Sequence, residues 1–164
     1  SLSFLPGMGY AIAASTLVGQ GLGAGRPDEA AASTYEALRQ GGLMMTALGA
    51  IMALLPHQMI GLFVADPLVA EVGAPAMRIA GLVQPLLAIN FILSGGLRGA
   101  GDTRWPLYTK LISTWGVRLP LAVGTLALGM GLTGVWVAMG ADFAVQAALA
   151  WWRFYLGKWM ATRV

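Results

Sequence analysis

The sequence predicts an all-α membrane protein, a polytopic transmembrane helix bundle of about five spans. Three observations carry that prediction. The first is composition: of 164 residues, 57% are hydrophobic and 10% are charged, whereas a soluble domain carries roughly 25% charged residues. Ten basic and seven acidic side chains cannot cover a globule of this size with charge. The second is a mean hydropathy of +0.71, which also excludes disorder, because so apolar a chain cannot stay solvated. The third is run length. The apolar residues come in stretches of about 20, enough for a helix to cross a ~30 Å hydrocarbon core. The runs lack the alternation of a membrane barrel and are rich in Ala, Leu and Met. There is no cysteine and one histidine, which excludes a disulfide framework, a Cys-based zinc site, a thiol nucleophile and a His-rich metal site.

The first run extends from about Leu5 to Leu22 and holds no charge. It ends at a Gly-rich, then polar, joint, Gly21-Leu-Gly-Ala-Gly-Arg-Pro-Asp-Glu-Ala30, which leads into a short amphipathic stretch. The second run extends from about Leu38 to Val64. Ala65-Asp66-Pro67 is a turn signal, with Asp66 placed to cap the helix after it. The third run extends from about Val72 to Leu97 and the fourth from Pro106 to Leu128, joined by a second Gly-rich polar loop, Gly99-Ala-Gly-Asp-Thr-Arg-Trp-Pro106. The fifth, Leu132 to Tyr155, follows a tight uncharged loop, Gly129-Met-Gly-Leu-Thr-Gly134. The two Gly-Ala-Gly loops hint at a repeated helical hairpin.

Charge sets the orientation. Arg26, Arg39, Arg98, Arg104, Lys110, Arg153, Lys158 and Arg163, eight of the ten basic residues, fall on one side of the bundle. That side is predicted to be cytoplasmic, with the C-terminus inside a cell membrane. The same asymmetry removes nucleic acid as a partner, since the basic residues follow topology rather than forming a stripe. Five spans that start outside, from a chain beginning at Ser1, predict a preceding helix.

Ionisable groups at membrane depth mark the chemistry to look for. Arg118 lies mid-span, and either faces a cavity, pairs with an acid, or snorkels. Asp142 lies about ten residues into the last span, with Gln146 one turn later on the same face. It is either a proton or cation carrier or, as the slightly favoured reading, the buried partner of Arg118. Gln84 and Asn90 in the third span line a pathway or make interhelical hydrogen bonds, and Pro85 between them predicts a kink. Trp151, Trp152, Phe154, Tyr155 and Trp159 read as an interfacial aromatic belt. The Gly95/Gly99 and Gly21/Gly25 spacings predict close helix approach. No nucleophile set, metal motif or carboxylate pair stands out, so the sequence predicts neither an enzyme nor a bound metal or cofactor.

Several segments then become familiar in order. Leu17-Val-Gly-Gln-Gly-Leu-Gly-Ala-Gly25 closes the first run, Leu97-Arg-Gly-Ala-Gly-Asp-Thr103 closes the third, Trp115-Gly-Val-Arg-Leu-Pro-Leu121 lies in the fourth, and Gly134-Val-Trp136 opens the fifth. Together they resemble the multidrug and toxic compound extrusion (MATE) transporters over essentially the whole chain. Arg98, Gly99, Gly101 and Asp102 stand in the most distinctive of these motifs. The resemblance implies helices eight to twelve of a twelve-helix antiporter, most of its C-terminal lobe, with the lobe's first helix and the N-terminal lobe lying outside residues 1–164. It implies a secondary active exporter of small organic, often cationic and aromatic, drug-like compounds, driven by a proton or sodium gradient through alternating access. The chain departs from the sodium-coupled, NorM-like pattern: Leu86, Leu87 and Asn90 stand mid-helix, with no acid between Glu71 and Asp102. That departure favours the DinF-like branch and places the coupling acid outside this chain. The rival expectations are a flippase of lipid-linked or polymeric substrates within the same superfamily, and a membrane docking subunit without transport activity.

Overall fold

The structure, a computed structural model, describes residues 2–64 and 66–161, and among these every regular element is helical. The turn residue Ala65 and the basic tail residue Arg163 lie outside the described residues. Helix α1 spans Leu5–Gly23, α2 Pro27–Leu54, α3 Pro56–Gly61 and α4 Pro67–Gly99. Helix α5 (Arg104–Ser113) runs through a π-helical turn, Thr114–Arg118, into α6 (Leu119–Ala127), and α7 spans Gly131–Tyr155. Helices α2, α4 and α7 are long and apolar enough to cross a membrane.

Local chemistry explains where the chain turns. Gly25 and Gly101 both take positive φ, 70° and 81°. Around them Arg26 N–H donates to Gly21 O at 2.8 Å, and Asp102 N–H to Leu97 O at 2.9 Å. These are matching left-handed glycine caps that bring the last helical carbonyls their missing donors, so the two Gly-Ala-Gly loops are one device used twice. Asp66 Oδ1 accepts from Leu68 N–H at 2.9 Å and caps α4.

Boundaries in the second, third and fourth runs differ from the sequence expectation, and α4 starts at Pro67 rather than near Val72. Helix α2 begins at Pro27, not near Leu38, because proline followed by Asp28 and Glu29 is a favourable first turn. The expected amphipathic stretch is therefore the first part of the same helix. It stops at Leu54, since Pro56 excludes α geometry at Leu55, which sits at φ −121°, ψ 47°. In the fourth span, Pro120 cannot donate to Gly116 O, and the helix widens into the π turn just before it. Leu119 N–H consequently reaches back five residues to Thr114 O.

Helix α4 is the hub and packs on α1, α2 and α7. It stays helical through Pro75 and Pro85. Proline at 85 deprives the Gly81 carbonyl of its helical donor, and that oxygen points at Gly49 of α2, where any Cβ would collide with it. One apolar core gathers Val18, Leu93, Leu97, Phe154 and Trp159, and a second gathers Met45, Val83, Leu87 and Ile92. Large apolar side chains also point outward, with Leu54 78% and Leu128 79% exposed, as suits a hydrocarbon solvent. The aromatic belt needs correction. Trp151, Trp152 and Tyr155 are exposed, but Phe154 and Trp159 are buried and stack at 4.6 Å between centroids, and the Trp159 indole donates to Phe154 O at 2.9 Å.

Candidate functional site

Two cavities lie end to end along the groove between α4 and α7. Phe4, Leu87 and Phe143 form walls of both and separate them. They differ in chemistry.

The polar chamber, of about 280 Å³, lies toward the Gly99–Arg104 loop. It holds a directed chain of hydrogen bonds. Ser94 Oγ donates to Asn90 Oδ1 at 3.2 Å, Asn90 Nδ2 to Gln146 Oε1 at 3.0 Å, and Gln146 Nε2 to Asp142 Oδ1 at 2.9 Å. The Ser113 hydroxyl donates to the same Asp142 oxygen. Each amide thus gives with its nitrogen and receives with its oxygen, and such chains strengthen their members. Asp142 is fully buried, and its Oδ2 accepts no hydrogen bond within the described residues. Arg118 Nη1 approaches that oxygen only to 3.9 Å, an ion pair without hydrogen-bond contact. The π turn sets this spacing: Arg118 is its last residue and keeps 37% of its side chain exposed. Arg98 and Lys110 line the same chamber.

The apolar chamber, of about 350 Å³, lies toward the first turns of α4 and α7. Met52, Met77, Trp136, Met139 and Phe143 line it with Gln84. Gln84 is 1% exposed; its Nε2 sits 3.7 Å from Met52 Sδ, and its Oε1 has no donor among the described residues.

The sequence-selected residues therefore fall into separate groups. Asn90, Gln146, Asp142 and Arg118 meet in one chamber, and Gln84 faces the other. Pro85 acts through the Gly81 carbonyl. The motif loop forms a third constellation, in which Asp102 Oδ2 accepts from Arg153 Nε and Nη2, each at 2.8 Å. Arg153 also lies 5.0 Å over the Trp105 ring, and Trp105 Nε1 donates to Leu149 O at 3.4 Å. Gly99 packs on Ser15, Gly101 supplies the left-handed turn, and Arg98 is exposed toward the polar chamber. Sequence reasoning missed Ser94, Ser113, Trp105 and the clamp role of Arg153. Arg153 stands 51 residues from Asp102, and no local pattern announces such a partner.

The clamp carries a prediction. Arg153→Leu is expected to lower stability by about 1–2 kcal/mol, because it leaves the largely buried Asp102 carboxylate with only the Trp105 N–H, at 3.3 Å. Arg153→Lys should recover less than half, lacking the forked donors and the flat stacking face. Melting of the detergent-purified variants checks both, and full recovery by lysine would refute the clamp.

The MatE family model matches residues 1–123. This chain belongs to the MatE family. Over 97% of its length it is 36% identical to a probable multidrug resistance protein NorM of Thermotoga maritima, covering 34% of that protein. It is 35% identical to a probable NorM of Brucella suis over 95% of the chain and 35% of that relative. It is 30% identical to an uncharacterized transporter, YisQ, of Bacillus subtilis, over 93% of the chain and 34% of that relative. The chain therefore spans about a third of the length of these curated relatives. The motif segments fall at breaks in the helices, with the Gly-Ala-Gly caps at helix ends and Trp115-Gly-Val-Arg118 across the π turn. Two of these relatives carry the NorM name; the DinF-like preference rests on the missing mid-helix acid of α4 alone.

Proposed function

We propose that this chain forms half of the transport cavity of a secondary active antiporter that exports organic compounds, often cationic and aromatic, in exchange for protons or sodium. In this reading it supplies helices eight to twelve, an N-terminal lobe supplies the other half, and the lobes alternate access by rocking. The bundle sits in an inner membrane with its C-terminus cytoplasmic, as the basic residues favour. The observation that carries the reading is the pair of end-to-end chambers on the α4–α7 groove of a MatE chain, one apolar and aromatic, the other threaded by amides leading to a buried acid. Asp142 and Arg118 are the gating pair: a shift of one turn at the π segment makes or breaks their contact.

The test is export of ethidium, an aromatic organic cation, from proteoliposomes holding the protein as its gene encodes it. Asn90→Leu is expected to slow export about tenfold, the effect of losing one polar contact of ~1.4 kcal/mol. Unchanged export in this variant would refute the cavity and favour a docking subunit without transport activity.

One observation favours a second reading. Arg98, Lys110 and Arg118 all line the polar chamber, which is the cationic lining a flippase of lipid-linked or polymeric anions requires. Movement of a fluorescent anionic lipid between leaflets, lost in Arg98→Gln with Lys110→Gln, would select it over drug export.

A further inference from the structure

The geometry points to the apolar chamber as a binding site for an uncharged aromatic compound bearing one N–H or O–H donor, with Gln84 Oε1 as its acceptor. The inference deepens the export reading and rests on it for the fate of the ligand.

Gln84 fixes the polar end. Its amide is buried, and its nitrogen faces Met52 Sδ at 3.7 Å. A thioether sulfur only accepts, and weakly, so the NH₂ side takes that position and the carbonyl is left turned away from it. That oxygen is buried and accepts nothing from the described residues. A buried acceptor without a donor is costly, and a ligand that brings a donor relieves the cost.

The walls fix the rest of the ligand. About 350 Å³ falls within the range of small-molecule pockets. Trp136 and Phe143 offer ring surfaces for stacking, and Met52, Met77 and Met139 can re-pack around ligands of different outline. No Asp, Glu, Lys or Arg side chain lines this chamber among the described residues. A permanent cation entering it would give up hydration for ring faces alone, without a counterion. The buried acid Asp142 lines the other chamber, beyond Leu87 and Phe143, and is already engaged by Ser113, Gln146 and Arg118. Charge therefore selects against cations here, and the buried, unpaired Gln84 acceptor selects for a donor.

Three probes of one skeleton test this by equilibrium dialysis against the protein, as its gene encodes it, in phosphatidylcholine nanodiscs, with empty discs subtracted. They are 1-naphthol, 1-methoxynaphthalene and 1-naphthyltrimethylammonium. Naphthol is expected to bind about tenfold more tightly than its methyl ether, the discrimination of one well-made buried hydrogen bond. In Gln84→Leu and Gln84→Met the ratio should fall to about one, with affinity for the ether barely changed, which shows that the chamber still folds. The ammonium probe should bind most weakly of the three. A naphthol preference that survives both variants, or tighter binding of the ammonium probe than of naphthol, overturns the assignment. The outcome separates from the export reading: Gln84-dependent naphthol binding without export of any organic compound sinks export alone. Export without a naphthol preference sinks this inference alone.

Discussion

Gly95→Val and Gly99→Val are each expected to remove most of the folded protein, with a stability loss of about 3 kcal/mol or more. A Cβ at Gly95 would meet the Ala11 carbonyl, and one at Gly99 the Ser15 carbonyl. Both obstacles are backbone atoms of α1, so no side chain can rotate away. The only relief is to push α1 from α4, and that would open the core that Val18 shares with Leu93 and Leu97. In hydrocarbon, helices associate by close packing rather than by hydrophobic exclusion, so lost proximity is lost stability. The sign of the effect is checked within the protein. Gly42 lies inside α2 with nothing near a Cβ, whereas its neighbour Gly41 faces Tyr10 and Ile92. Gly42→Ala should be neutral or slightly stabilising through helix propensity, and Gly41→Val should destabilise. Yield from membranes and melting in detergent read all four. If Gly95→Val and Gly99→Val melt like Gly42→Ala, the close approach of α1 and α4 is not what holds this bundle together.

The same contrast shows what the sequence could reveal. The ends of α1 and α7 were legible because a long apolar run bounded by glycines, in a membrane solvent, has little alternative to a helix. The start of α2 was not, because its exposed face carries Glu36 and Arg39, paired at 2.8 Å, and the polar stretch reads as a separate piece. The π turn left only a proline as its trace, since one extra residue in a turn barely disturbs apolar periodicity. The burial of Phe154 and Trp159 depended on a short return of the chain, Lys158–Ala161, that carries Trp159 back onto the bundle. At the site, residue identities were legible and their partners largely were not. Asp142, Arg118, Asn90 and Gln146 stand out in apolar runs because each is costly there. The Gln146–Asp142 contact follows from a four-residue spacing. Asn90 to Gln146 spans 56 residues and Ser113 to Asp142 spans 29, so those pairings exist only once α4, α5 and α7 are packed.

Asp142→Ala is the second large expectation, a loss of about 3 kcal/mol. The sequence offers Arg118 as the natural reason, but the geometry gives a different ranking. Asp142 is fully buried and receives hydrogen bonds from Ser113 and Gln146, while Arg118 stays at 3.9 Å and part-exposed. Truncation therefore strands the buried Gln146 amide and leaves the Ser113 hydroxyl only the Asp142 backbone carbonyl, at 3.0 Å, while a loose, part-exposed ion pair is the smaller share. Asp142→Asn keeps an oxygen that accepts from both and should cost only about 1 kcal/mol. Arg118→Ala should cost about the same or less. Double-mutant cycles decide between the partners, with Ser113→Ala against Asp142→Ala expected to show stronger coupling than Arg118→Ala against Asp142→Ala. Exchanging the two charges should not restore the fold, because position 142 is buried and meets donors, which suit a carboxylate, whereas a guanidinium needs acceptors and more room. Near-equal losses for Asp142→Ala and Arg118→Ala, with the stronger coupling on the arginine, would return Asp142 to the role of a structural counterion. The ranking expected here leaves Arg118 loosely held against a carboxylate fixed by other groups. A gating pair needs that asymmetry: one partner stays in place while the other, carried on the π turn, can leave and return at small cost.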